Sequence, residues 1–224
     1  MADLTVRLKS GILKWLSGVE RDENRRVGEA AMPRETSPYE IYAKHILEAI
    51  YGKRYGTLLL RDKPDLQTAD GEAGIEVMSV NGEIFERLVT EIALSQPYQA
   101  PTDRILKLCA DCGIEYSDWQ TYVIHPLPAS GFVEPFKRKL RKLNAGYISL
   151  GHYDLFLYSD RHTMEAYELE PLLEDLRKEN QARICYRYVY IDAAGKLVCF
   201  DLAHGEYEVH RTSKVRNMLF SDSS

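Results

Sequence analysis

Apolar and polar positions alternate with two periods along this chain, and the switches between them outline its elements. Leu4, Leu8, Ile12, Leu13, Leu16 and Val19 recur at helical spacing, which predicts an amphipathic helix over residues 3–20. A charged stretch from Glu20 to Arg26 and a Pro33-containing segment follow, so residues 1–36 read as a helical arm and linker ahead of a domain at 37–224. Ser37-Pro38-Tyr39-Glu40 supplies an N-cap, a proline at the first helical position and an acidic first turn. Ile41, Ile46, Leu47 and Ile50 carry that helix to an expected end near Gly52.

Strands are expected at about 57–62 and 74–80, then helices at 83–95 and 102–112. A strand at 119–125, a basic helix at 131–144 and a strand at 154–158 come next. Pro171 is expected to open a helix that runs to Asn180. Strands at 184–191 and 197–202 flank Asp192-Ala193-Ala194-Gly195-Lys196, a hairpin signal, and 206–211 adds a third. Helices and strands alternate without a repeat, so the expected class is α/β, a mixed central sheet flanked by helices.

Composition changes this picture little. The 224 residues are 45% hydrophobic, enough to bury a core, and no apolar run has the length of a bilayer span. The N-terminus lacks the continuous apolar region of a secretory signal, and four scattered cysteines make no disulfide framework; a cytoplasmic location without membrane contact is expected. A net charge of −5 argues against coating nucleic acid indiscriminately but leaves room for a local basic groove.

The candidate chemistry begins with Asp62-Lys63-Pro64-Asp65-Leu66-Gln67, followed by Gly74-Ile75-Glu76-Val77-Met78 in an apolar strand. Asp65 and Glu76, on adjacent strands across the turn-forming Ala69-Asp70-Gly71, offer hard oxygen ligands to a divalent cation. Glu40, on the preceding helix, is a third candidate ligand. Gln67, two residues beyond Asp65, points to the same side in an extended chain and suits a metal-bound water.

This arrangement resembles the PD-(D/E)xK nuclease superfamily. The matching residues are Pro64-Asp65, Glu76 in its hydrophobic strand and Glu40 in the helix before them, within roughly residues 37–96. The resemblance implies a restriction-endonuclease-like core and Mg2+- or Mn2+-dependent hydrolysis of phosphodiester bonds in DNA or RNA. It implies Glu40, Asp65, Glu76 and the carbonyl of Val77 as metal ligands, and a prokaryotic or phage-related defence setting. The departure is Met78, which stands where the family's catalytic lysine is expected, and a thioether can neither position water nor neutralise phosphate charge.

A substitute cation is at hand. Five of the six residues Lys137 to Lys142 are basic, while Phe136, Leu140 and Leu143 share one face. Lys139 and Lys142, three apart beside that stripe, are the candidates for the missing cation, with Lys44 as a third. The 137–142 run is also the expected phosphate contact, against the plainer role of a solvated face. The alternatives to a nuclease are a catalytically inactive binding module on the same fold and a regulatory subunit that forms a homodimer or binds a protein partner through the 3–20 helix. Cys109 and Cys112 lack a second pair, the histidines lack a triad, and no phosphate-binding glycine loop is present. Tyr186, Tyr188 and Tyr190 are expected on one packed sheet face.

Overall fold

A computed structural model describes residues 36–80, 82–94, 100–117, 121–146 and 149–212. The predicted 3–20 helix lies outside the described residues. Helix α1 (Pro38–Tyr55) opens as expected, with the Ser37 hydroxyl accepting from the Tyr39 N–H and Pro38 in the first turn. It runs past Gly52, through a kink at Tyr51, and ends at Gly56, whose φ of 61° closes the last turn with a bond to the Gly52 carbonyl. The extra turn is held because Tyr51 and Tyr55 bury their rings against the sheet.

Three short strands follow: β1 (Leu58–Leu60), β2 (Leu66–Thr68) and β3 (Ala73–Ser79), paired antiparallel in that order. The expected 57–62 strand is thus shorter, and β2 is an additional strand that starts immediately after Asp65. Helices α2 (Gly82–Leu94) and α3 (Asp103–Asp111) come next, then a separate antiparallel pair, β4 (Ile114–Ser117) and β5 (Thr121–Ile124). A 3-10 turn at Ala129–Phe132 leads into α4 (Val133–Asn144).

Strand β6 (His152–Ser159) lies parallel to β3 and to β7 (Tyr186–Ala193), while β8 (Lys196–Asp201) and β9 (Glu206–Arg211) extend the sheet antiparallel. The result is a mixed seven-stranded sheet ordered β1-β2-β3-β6-β7-β8-β9. Between β6 and β7, helix α5 (Ala166–Glu179) starts five residues before Pro171, which therefore sits inside it. A capping box between Glu165 and Glu168, and the buried Leu169, Leu172, Leu173 and Leu176, outweigh the one amide donor the proline lacks.

Period-2 alternation sorts the sheet into two faces. Ile75, Val77, Phe156 and Tyr158 pack with Tyr42, Ala43, Ile46 and Leu47 of α1. Leu155, Leu157, Val189 and Ile191 pack with Phe136, Leu140 and Leu143 of α4 and with α5. The tyrosine stripe is split between them, contrary to expectation: Tyr188 and Tyr190 lie on the α1 face and Tyr186 on the α4 face. A bulge puts Tyr153 opposite Tyr186 but Leu155 opposite Val189, and one extra residue on β7 reverses the side from which the later side chains emerge. Among the described residues no helix is long and apolar enough to cross a membrane.

Candidate functional site

The turn before β2 places Asp65. Lys63 is in the left-handed region (φ 57°), the Lys63–Pro64 bond is cis, and the Arg61 N–H closes the loop on the Asp65 carbonyl at 2.9 Å. Pro64 lies directly over β3, where only glycine fits: a Cβ on Gly74 would come 2.4 Å from Pro64 Cγ and 2.5 Å from Leu150 Cδ1. Gly74 therefore lets the Pro64-Asp65 pair settle against the strand that carries Glu76.

β2 begins only at Leu66, opposite Ile75, so Asp65 lies beside the part of β3 that β2 does not pair. The Val77 N–H fills that gap by donating to Asp65 Oδ2 at 2.8 Å. Within a strand the N–H and C=O of one residue leave on the same edge, so the Val77 carbonyl emerges on the Asp65 side too. Glu76 emerges at right angles, on the α4 face, level with Leu155 of β6. It is 3% exposed and Asp65 is 8% exposed.

From α4, Lys139 closes the site. Its Nζ donates to Glu76 Oε2 at 2.6 Å and stands 3.9 Å from Asp65 Oδ2, with the side chain 15% exposed. The helix can deliver it because Phe136, Leu140 and Leu143, each worth roughly 1.5–3 kcal/mol of burial, fix the face that meets the sheet. Beside Lys139, Arg138 Nη2 reaches Met78 Sδ at 3.6 Å. The position of the expected motif lysine is thus covered by a guanidinium, while an ammonium from the same helix pairs with Glu76 and faces Asp65.

Glu76 Oε1 is buried and has no hydrogen-bond partner. A buried carboxylate oxygen left unsatisfied is costly, which makes this atom the most telling of the site. Glu76 shares Lys139 with Asp65, and two carboxylates together with the Val77 carbonyl are oxygen donors of the kind a hard divalent cation takes. Among the described residues, however, no three His, Cys, Asp or Glu side chains are grouped to hold a metal ion. Two carboxylates and a lysine come together instead.

The other sequence candidates are placed as follows. Glu40 is buried on the α1 stripe of Ala43 and Leu47, in the layer covering the Ile75 and Val77 side. Gln67 donates through Nε2 to the Pro64 carbonyl at 3.5 Å, at the limit of a hydrogen bond, so it braces the turn. Lys142 is exposed on α4. Lys44 pairs with Glu48, one turn on along α1. Cys109 and Cys112 are free and buried with Leu88 and Ile105, and burial pushes the Cys112 thiol up to about 11. That environment suits packing and not a reactive thiolate.

Sequence reasoning missed Arg138 and Gly74. Arg138 was hidden inside a basic run where every position looks alike. Gly74 did have a signal, a glycine within a strand pattern, which marks close backbone approach.

Compared with protein-family models, curated proteins and solved structures, the chain matches none of them.

Proposed function

We propose that this chain is a divergent member of the PD-(D/E)xK nuclease superfamily, hydrolysing phosphodiester bonds in DNA or RNA with Mg2+ or Mn2+. The observation that carries this reading is Lys139, which reaches Glu76 and Asp65 from α4 while Met78 occupies the expected lysine position. The order of elements over residues 37–96, with the parallel β6 beside β3, supports the restriction-endonuclease-like assignment.

Asp65, Glu76 and the Val77 carbonyl would hold the cation, which supplies a water of lowered pKa and a positive charge against the phosphate. Gln67, whose bond to the Pro64 carbonyl is weak, would order that water. Water adds to phosphorus, the ester P–O bond breaks, and the proton passes to the departing oxygen. Lys139 then offsets charge growing on the phosphate oxygens, the part a motif lysine would take. Arg138, Arg141 and Lys142, exposed along α4, draw the nucleic-acid backbone toward the site.

The test is cleavage of single- and double-stranded DNA and RNA with Mg2+ or Mn2+. Metal-dependent cutting by the wild type should fall by at least about a hundredfold in both Asp65→Ala and Glu76→Ala. Cutting that survives both substitutions refutes the site.

A second reading is favoured by Met78 and by the lack, among the described residues, of a third acid grouped with the two: a non-catalytic nucleic-acid-binding module in which Lys139 and the two carboxylates form a structural ion pair. Its mark is nucleic-acid binding that persists after metal removal and in Asp65→Ala, with no cutting by the folded wild type on any of the four substrates.

A further inference from the structure

We infer that Lys139 is a built-in competitor for the cation site: it holds the Asp65–Glu76 pair closed, and a divalent ion enters only by displacing it. This rests on the metal-dependent reading above and adds to it a mode of regulation. The Lys139 ammonium stands against both carboxylates, at 2.6 Å from one and 3.9 Å from the other. These carboxylates are the oxygen donors a cation would use, and both are almost wholly buried. A divalent ion and an ammonium drawn to the same two carboxylates repel each other in a setting where water screens them poorly.

The lysine is nonetheless an incomplete occupant. It satisfies Oε2 of Glu76 and leaves the buried Oε1 without a partner. That oxygen is an acceptor left over for a further donor or cation, since buried polar groups are ordinarily paired. Lys139 has somewhere to go, because it belongs to a helix whose neighbouring Arg138, Arg141 and Lys142 reach solvent. Displacement by the cation thus coincides with release of an ammonium toward the surface where a phosphate would arrive. Binding of the cation and arming of the lysine become one event.

The consequence separates affinity from turnover. Lys139→Gln should bind Mn2+ more tightly than the wild type, by about tenfold or more given a unit charge at such range, while it cuts nucleic acid more slowly. Lys139→Arg, which keeps the charge, should bind no more tightly than the wild type. Calorimetric titration with Mn2+ alone, on variants whose folding is checked by circular dichroism, reads the affinity. A second measurement needs no variant: Mg2+ should increase the rate at which Lys139 of the wild type is acylated by a small amine reagent, read by mass spectrometry.

Tighter binding by Lys139→Gln, or acylation accelerated by Mg2+, supports the competitor. Equal or weaker Mn2+ binding by a folded Lys139→Gln overturns it and leaves the metal-dependent reading standing. Unchanged or slower acylation in a wild type that binds the ion does the same. Absence of Mn2+ binding by the wild type and by Lys139→Gln overturns both.

Discussion

The sheet buries carboxylates on both of its faces, and the two sets are treated differently. On the α1 face Asp154 accepts from the Tyr188 N–H through Oδ1 (2.9 Å) and from the Tyr55 hydroxyl through Oδ2 (2.7 Å). Tyr55 spends its one proton on Asp154, so Tyr190 donates to Tyr55 at 2.6 Å and itself accepts from Arg54 at 2.6 Å. Asp192 on the same face is held by the Tyr42 and Thr212 hydroxyls. On the α4 face Glu76 has a lysine on one oxygen and nothing on the other. Burial of an acid is common to both faces and therefore says little about function. What distinguishes them is whether the acid's oxygens are used up.

Asp154 also has a structural task that explains its complete burial. The bulge between β6 and β7 frees the Tyr188 N–H from the ladder, and Asp154 takes it up. Burial and the neighbouring carboxylate push the Tyr55 hydroxyl well above its ordinary pKa, so it remains a donor. Both oxygens of Asp154 and both of Asp192 are thus taken up on the α1 face. The α4 face has capacity to spare.

The widest separation is expected between Glu76→Gln and Asp154→Asn. Glu76→Gln should lower metal-dependent cleavage by at least about a hundredfold. Asp154→Asn puts an amide nitrogen against a donor and should lower stability by about 1.5–3 kcal/mol in urea denaturation, leaving cleavage per folded molecule unchanged. Equal loss of cleavage in both would erase the contrast between the faces.

A smaller effect ties the site to its packing. Gly74→Ala drives a methyl group into the Pro64 ring, and should cost about 1–3 kcal/mol of stability. Because Pro64 carries Asp65 with it, cleavage should drop as well. A Gly74→Ala protein of lowered stability and full activity would show that Asp65 does not depend on this seat.

The last effect concerns a buried histidine, His162, whose Nδ1 is 2.8 Å from Ser159 Oγ. Burial, helped by Arg161 and opposed by Glu168, pushes it down from its ordinary 6.5 to about 4. The folded state keeps the imidazole neutral while the unfolded chain takes up a proton. Stability contributed by the neutral ring is therefore present above about 6.5 and is lost as the pH falls toward about 4. Urea midpoints across that window should decline more steeply for the wild type than for His162→Gln. Parallel slopes would place His162 in contact with water.

Much of the fold was legible because it rests on local rules. Ser37-Pro38 announces α1, and Ala194-Gly195, both at positive φ, supplies the hairpin between β7 and β8. β2 was missed because three residues carry too short a period to read, and it exists only because β1 and β3 pair with it on either side. The start of α5 was misplaced because Pro171 outvoted the Glu165 and Glu168 capping box, a signal equally present in the sequence. The split of the tyrosine stripe had no local sign, since a bulge depends on how two strands distant in sequence align.

The sequence by itself determined the chemistry on offer: an acid after Pro64 and another in an apolar strand, a basic helix with one apolar side, and no lysine at position 78. Each is set by side-chain identity and by a period of two or 3.6 residues, which neighbouring residues fix. Only the tertiary structure decided which pieces meet. Lys139 lies 63 residues from Glu76 in the chain, and it arrives there because the parallel β6 places α4 over the face from which Glu76 emerges. That convergence depends on sheet order and on which side of each strand a residue leaves, and both are settled by long-range pairing.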